Sequence, residues 1–162
     1  MPPLEAGIVE WVNTFDLSAP CSSVLQLADG VALGQMLLKI APGLFDLSTF
    51  QQEVGDNWFL KLNNLKKLVF NLKAFYAEHL GKEADFSDLD LTAVAREGSP
   101  EGMRALVQPL VGAAVTCSAK AHYIQAIMQM SVEGQATMQQ MAQQAMGGMA
   151  AMRDIEDNNE EG

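Results

Sequence analysis

From Asp56 to Gly81 the apolar residues recur at steps of three and four, through Trp58, Leu62, Leu65, Leu68, Val69, Leu72, Phe75 and Tyr76. That period is the stripe of an amphipathic α-helix, and both of its ends are marked. Asp56 or Asn57 can accept the free amide protons of the first turn, and Gly81 stands just past the last apolar position. No segment shows the sustained apolar/polar alternation and β-branched enrichment of a strand. The chain is therefore predicted to be all-α, with about six or seven helices joined by short connections.

The other elements follow from the same signals. Leu4, Ile8, Trp11, Val12 and Phe15 form a first stripe, which Asp16 to Cys21 interrupts. Ser22 and Ser23 can cap a short turn, and Asp29-Gly30 leads into a segment that is apolar nearly all round at Val31, Leu33, Met36, Leu37 and Ile40. That pattern predicts a buried helix ended by Pro42-Gly43. Gly81 to Leu89 is an acidic loop, and a short helix begins at Asp90 or Thr92 and closes at Gly98-Ser99-Pro100. Ser99, with Pro100 at the first helical position, opens another helix carrying Met103, Leu106, Val107, Leu110, Val111, Ala114 and Val115. Pro109 inside it predicts a kink, since proline removes a backbone donor and crowds the preceding turn.

A length of 162 residues suits one domain, and 49% hydrophobic against 19% charged residues allows it to fold without metal or disulfide support. The net charge of -10 opposes nucleic acid and anionic lipid as partners, because both bind through neutralisation by Lys and Arg. Four of the ten basic residues, Lys61, Lys66, Lys67 and Lys73, lie within one helix, where a solvated outer face accounts for them. Cys21 and Cys117 match no disulfide framework and no zinc spacing, so free thiols are predicted. The amino-terminal residues carry no signal-peptide pattern and no segment has the apolar length of a membrane span, which predicts a cytoplasmic address without membrane insertion.

Catalytic and cofactor motifs were sought and are not predicted. His79 and His122 stand at no ligand or triad spacing from the cysteines or carboxylates. No glycine-rich phosphate motif occurs, and Asp85, Asp88 and Asp90 lack the glycine and glutamate of a calcium loop. The chain reads as a non-enzyme with no cofactor.

From Ala121 to Met152 the composition shifts to Met, Gln and Ala, with Glu133 the one strongly charged residue. Ile124, Ile127, Met138, Met141, Ala145 and Met152 fall on the a and d positions of a seven-residue repeat, so one face is built to be covered. Packing on the domain itself, pairing with a second copy and receiving a partner helix are the three available uses. The abundance of methionine, a flexible and polarizable side chain, favours the guest helix. Gly134 marks a bend, and a helix ending near Met130 and another beginning near Glu133 are expected to form a V whose inside holds the partner. Gly147-Gly148 weakens the last helix, and the acidic end IEDNNEEG is expected to be disordered.

Four collinear blocks carry a family resemblance: WVNTFDLSAPC at Trp11 to Cys21, LADGVALGQMLLKIAPGLFD at Leu27 to Asp46, EVGDNWFLKLNNLKKLVFNLKAFYAEHLG at Glu53 to Gly81, and LVGAAVTCSAKAHYIQAIMQM at Leu110 to Met130. Together they resemble the amino-terminal domain of the Hook proteins over about Leu4 to Met146. The resemblance implies a calponin-homology-like fold of about seven helices with an extra carboxy-terminal helix. It divides the chain into a Hook domain at 1–130, a Met-rich helix at 131–152 packing on or near it, and an acidic disordered tail at 153–162.

The same resemblance implies a dynein adaptor that takes up an amphipathic helix of the cytoplasmic dynein light intermediate chain. Tyr123 to Met128 match the family's YIQAIM stretch, and Gln135 falls on a glutamine implicated in the dynein contact. Two further contacts align with Gln139 and Ala142, where the family's methionine and isoleucine are missing, while Met138 and Met141 stand one position away. The expected site is a trough lined by Ile124, Ile127, Met128, Met138 and Met141, with Gln135 at the rim and Gln139 and Ala142 alongside. The full-length protein is implied to be a coiled-coil homodimer that engages dynein and dynactin. Direct binding to microtubules or actin, and homodimerisation through the Met face, are the alternatives.

Overall fold

Trp58–Leu80 forms one uninterrupted helix in the computed structural model, which describes residues 1–155. Its start is set by Asn57, whose side-chain oxygen accepts hydrogen bonds from the amides of Phe59 and Leu60 at 3.1 and 3.3 Å. Its end is set by Gly81, whose φ of 64° turns the chain left-handed and returns an amide to the last carbonyls. The described residues form seven α-helices: α1 (Pro3–Asn13), α2 (Val31–Ile40), α3 (Trp58–Leu80), α4 (Leu91–Glu97), α5 (Pro100–Ala114), α6 (Lys120–Met128) and α7 (Val132–Ala151). Short 3-10 turns at Val24–Leu27 and Leu47–Thr49 fill two of the connections. The predicted additional helix is thus α7 itself, the seventh and not an eighth.

Leu65, Leu68 and Leu72 of α3 are fully buried against α2, α4 and α5. The core they begin continues through Leu33, Met36 and Leu37 of α2, Leu106, Val107 and Leu110 of α5, and Ile8, Trp11 and Val12 of α1. The helix α5 runs through Pro109 without a break, and the Pro109 carbonyl accepts a buried hydrogen bond of 2.8 Å from the Tyr76 hydroxyl. Burial pushes the Tyr76 phenol far above the ordinary tyrosine range.

Asn64 is fully buried among the apolar residues of α3. Its amide accepts from the Gln51 N–H at 2.8 Å and donates to the carbonyls of Asp29 and Gln51 at 2.9 and 2.8 Å. One side chain therefore satisfies backbone groups of two separate loops that have no helix or strand to do so.

Two departures from expectation occur at the carboxy-terminal end. Arg153–Asp154 (β2) pairs antiparallel with Lys82–Glu83 (β1), and an exposed Lys82–Asp154 ion pair accompanies it. Two residues are too few to show alternation, and their partner lies some seventy positions away, so no sequence period announces this pairing. Arg153 and Asp154 are consequently structured, in place of the disorder predicted from residue 153, and the remainder of that expected tail, 156–162, lies outside the described residues.

Asn64→Ala is expected to lower the unfolding free energy by roughly 2–3 kcal/mol, measured by urea denaturation, because three backbone groups lose their partner. Because the buried phenol holds its proton, Tyr76 contributes stability that is complete below about pH 10 and declines as pH rises further, where only the unfolded chain ionises readily. Tyr76→Phe should show a shallower alkaline loss in the same measurement.

Candidate functional site

The chain turns sharply between α6 and α7, at Gln129–Ser131, and this corner is held by α1. The Glu10 carboxylate accepts two hydrogen bonds of 2.7 Å, one from the Ser131 N–H and one from the Ser131 hydroxyl. The same hydroxyl accepts from the Gly134 N–H at 3.0 Å and so caps α7. Gly134 lies inside α7 and makes no bend. A side chain there would run into the Glu10 carboxylate, so the glycine serves the close approach of α1, while the break expected between Met130 and Glu133 falls at Gln129–Ser131.

Three of the four methionines of α7, Met138, Met141 and Met149, point inward. Met138 and Met141 are 0% and 2% exposed, and Ala145 and Met149 continue the same line toward α5. Gly112 of α5 makes room for it, since a Cβ there would stand 2.6 Å from the Met149 methyl. The expectation that Met138 and Met141 line an open trough, or pair two copies, is therefore corrected: they complete this domain's own core. Ile127 is likewise buried, beside Tyr123, whose ring stacks on Phe15 at 5.3 Å. The reason is rotational, because a full turn of α7 offers its Met stripe to α1 and α5 and leaves the adjacent flank to solvent.

That open flank carries the other expected residues. On α6, Ile124 and Met128 are 41% and 62% exposed and stand one turn apart, and Val132, just past the corner, is 79% exposed. On α7, Gln135, Gln139, Ala142 and Met146 follow one another at steps of four, three and four, which places them along one side of the helix. Gln135 and Ala142 are half-buried and Gln139 is exposed. The Gln135 side-chain amide donates to the Met130 carbonyl at 2.9 Å, so it fixes the corner as well as bordering the flank. Val132 and Met146 escaped the sequence reading. Met146 was within reach of it, standing four residues beyond Ala142, whereas the exposure of Val132 depends on how the corner seats α7, which no period reports.

Little other chemistry gathers here. Among the described residues no three His, Cys, Asp or Glu side chains meet where a metal ion could sit. Cys21 and Cys117 are free, and burial raises both thiols. No helix of the described residues is long and apolar enough to cross a membrane. What the surface offers is an apolar strip with an amide border, suited to holding another polypeptide.

Comparison with known proteins decides the family. The HOOK domain model matches residues 4–144. The chain belongs to the Hook family. It is 42% identical over 127 residues to the protein Hook homolog of Branchiostoma floridae and 38% identical over 128 residues to human protein Hook homolog 3; each alignment covers 76% of this chain and 18% of the relative. The chain thus corresponds to under one fifth of the length of these Hook proteins. The solution structure of the conserved domain of mouse HOOK1 is similar in fold, with a TM-score of 0.83 at 32% identity, covering 91% of this chain and 92% of that one. The calponin-homology-like, mostly helical architecture of the Hook domain is therefore the architecture of this chain.

The division of α7 into an inner and an outer face makes a direct prediction. Met138→Ala should cost about 2–5 kcal/mol of stability by thermal or chemical unfolding, as a core truncation does, while Gln139→Ala next to it should change stability by less than about 0.5 kcal/mol.

Proposed function

We propose that this Hook domain is the motor-binding module of a cytoplasmic, cytoskeleton-linked cargo adaptor, and that its ligand is an amphipathic helix of the cytoplasmic dynein light intermediate chain. The observation that carries the reading is the pair Ile124 and Met128, exposed on α6 beside the half-buried Gln135 at the α6–α7 corner. Family membership supports the adaptor role, and the positions implicated through the resemblance, Gln135, Gln139 and Ala142, share one flank of α7.

The mechanism differs from a methionine-lined trough. Apolar residues of the incoming helix cover Ile124, Met128 and Val132, and the glutamine amides of α7 supply hydrogen bonds at the border. Met138, Met141 and Ile127 act from beneath, by fixing the relative position of α6 and α7. Gln139 and Ala142, where relatives are expected to present larger apolar groups, give this chain a flatter and more polar contact. Affinity for the isolated domain is accordingly micromolar, because ordering the guest helix consumes several kcal/mol. In the whole protein, pairing of two copies through a coiled coil and contacts with dynactin and cargo would add to it. No bond-making step enters this function, and the chain acts as a binding module and not an enzyme.

Titration of a fluorescently labelled light-intermediate-chain helix into the domain should give saturable micromolar binding. Met128→Glu or Ile124→Glu should weaken it by about tenfold or more, the cost of placing a charge in an apolar contact. Absence of binding to the wild type, or equal binding by all three proteins, would remove the proposal.

A further inference from the structure

The outward face of α3 carries a second surface, one that the proposed helix site does not use. Phe59, Asn63, Lys66, Phe70 and Lys73 succeed one another at steps of four, three, four and three, so they form a single stripe along the helix. The stripe points away from α2, α4 and α5, which cover the opposite side of α3. Phe59 and Phe70 are 58% and 72% exposed, the latter the most exposed aromatic ring among the described residues, and Lys66 and Lys73 stand free in solvent on either side of it. Lys67, one position off the stripe, donates to the Thr49 carbonyl, and Asp85 lies near Lys73.

Solvation accounts for the lysines and not for the rings. A large exposed aromatic side chain gains nothing from water, and two of them in register on one helix face, with Lys66 between and Lys73 just beyond, make an aromatic and basic strip on a chain whose net charge is -10. From this we infer that the α3 face is a docking surface for an acidic amphipathic helix. Its partner presents two apolar anchors about 16 Å apart, the separation of Phe59 and Phe70 at 1.5 Å per residue, with carboxylates between them that meet Lys66, while Lys73 lies one turn past the second anchor. Charge complementarity selects the acidic partner, since the rest of this surface repels it and the stripe alone attracts it. The anchors set the register, and the lysines set the salt dependence.

The probe is a fluorescein-labelled synthetic helix with two tryptophans spaced as Phe59 and Phe70 are and glutamates between them, titrated into the 162-residue protein. Saturable micromolar binding is expected, weakened about tenfold or more by Phe70→Glu and by the double variant Lys66→Glu with Lys73→Glu, weakened by added salt, and unchanged by Met128→Glu. All of these changes are on the surface, and unaltered far-ultraviolet circular dichroism verifies the fold. No binding to the wild type, equal binding by the α3 variants, or loss on Met128→Glu would overturn the inference. So would pelleting with microtubules through the same lysines while the probe stays free, which would assign the strip to a filament.

Discussion

The seating of α7 on α1 and α5 is the contact from which the functional surface follows. Glu10 grips Ser131, the last residue of the α6–α7 corner, through two hydrogen bonds, and Met138, Met141, Ala145 and Met149 run from that grip into the core. Both sets are needed. The carboxylate alone is solvent-accessible and contributes modestly, whereas the buried methionines supply the apolar burial but, being flexible, specify rotation poorly. With a polar clamp at one end and thioether packing along the side, α7 has one rotation about its axis. That rotation determines which flank meets water.

The use of methionine then acquires a different meaning from the one composition suggests. Unbranched thioether chains accommodate irregular gaps, and the gap here is bounded by helices at unequal separations, with Gly112 bringing α5 close to Met149. The same adaptability that suits a promiscuous surface suits an interior seam between α7 and the helices it packs on. Glutamine and alanine dominate the outer flank once Met138, Met141 and Met149 have turned inward, and Ile124, Met128, Val132 and Met146 are the large apolar residues left exposed on α6 and α7.

The fold was legible because its elements are strongly periodic and well punctuated. The α3 stripe, its Asn57 cap and its Gly81 stop all appear in the structure, as do the Asp90 and Ser99 starts of α4 and α5. Asn64 was not legible, because a buried polar residue inside an apolar run has no period of its own and its partners lie in distant loops. The site was half legible. Composition pointed to the α6–α7 segment and the family resemblance to the solvent-facing flank of α7, but a heptad count cannot tell a stripe that faces a guest from one that faces home, since both are apolar and spaced alike. Gly134 misled for a related reason: a glycine in a helix can signal flexibility or a close neighbour, and the neighbour here is Glu10, over a hundred and twenty residues earlier.

The small β1–β2 clip fixes where any following polypeptide departs. It fastens the end of α7 beside the end of α3, so the exit lies the full length of α7, about 30 Å, from the α6–α7 corner. A pull transmitted from that direction would load the clip and the last turns of α7 first. Mechanical tension at the clip is thereby set apart from the proposed guest surface along one helix.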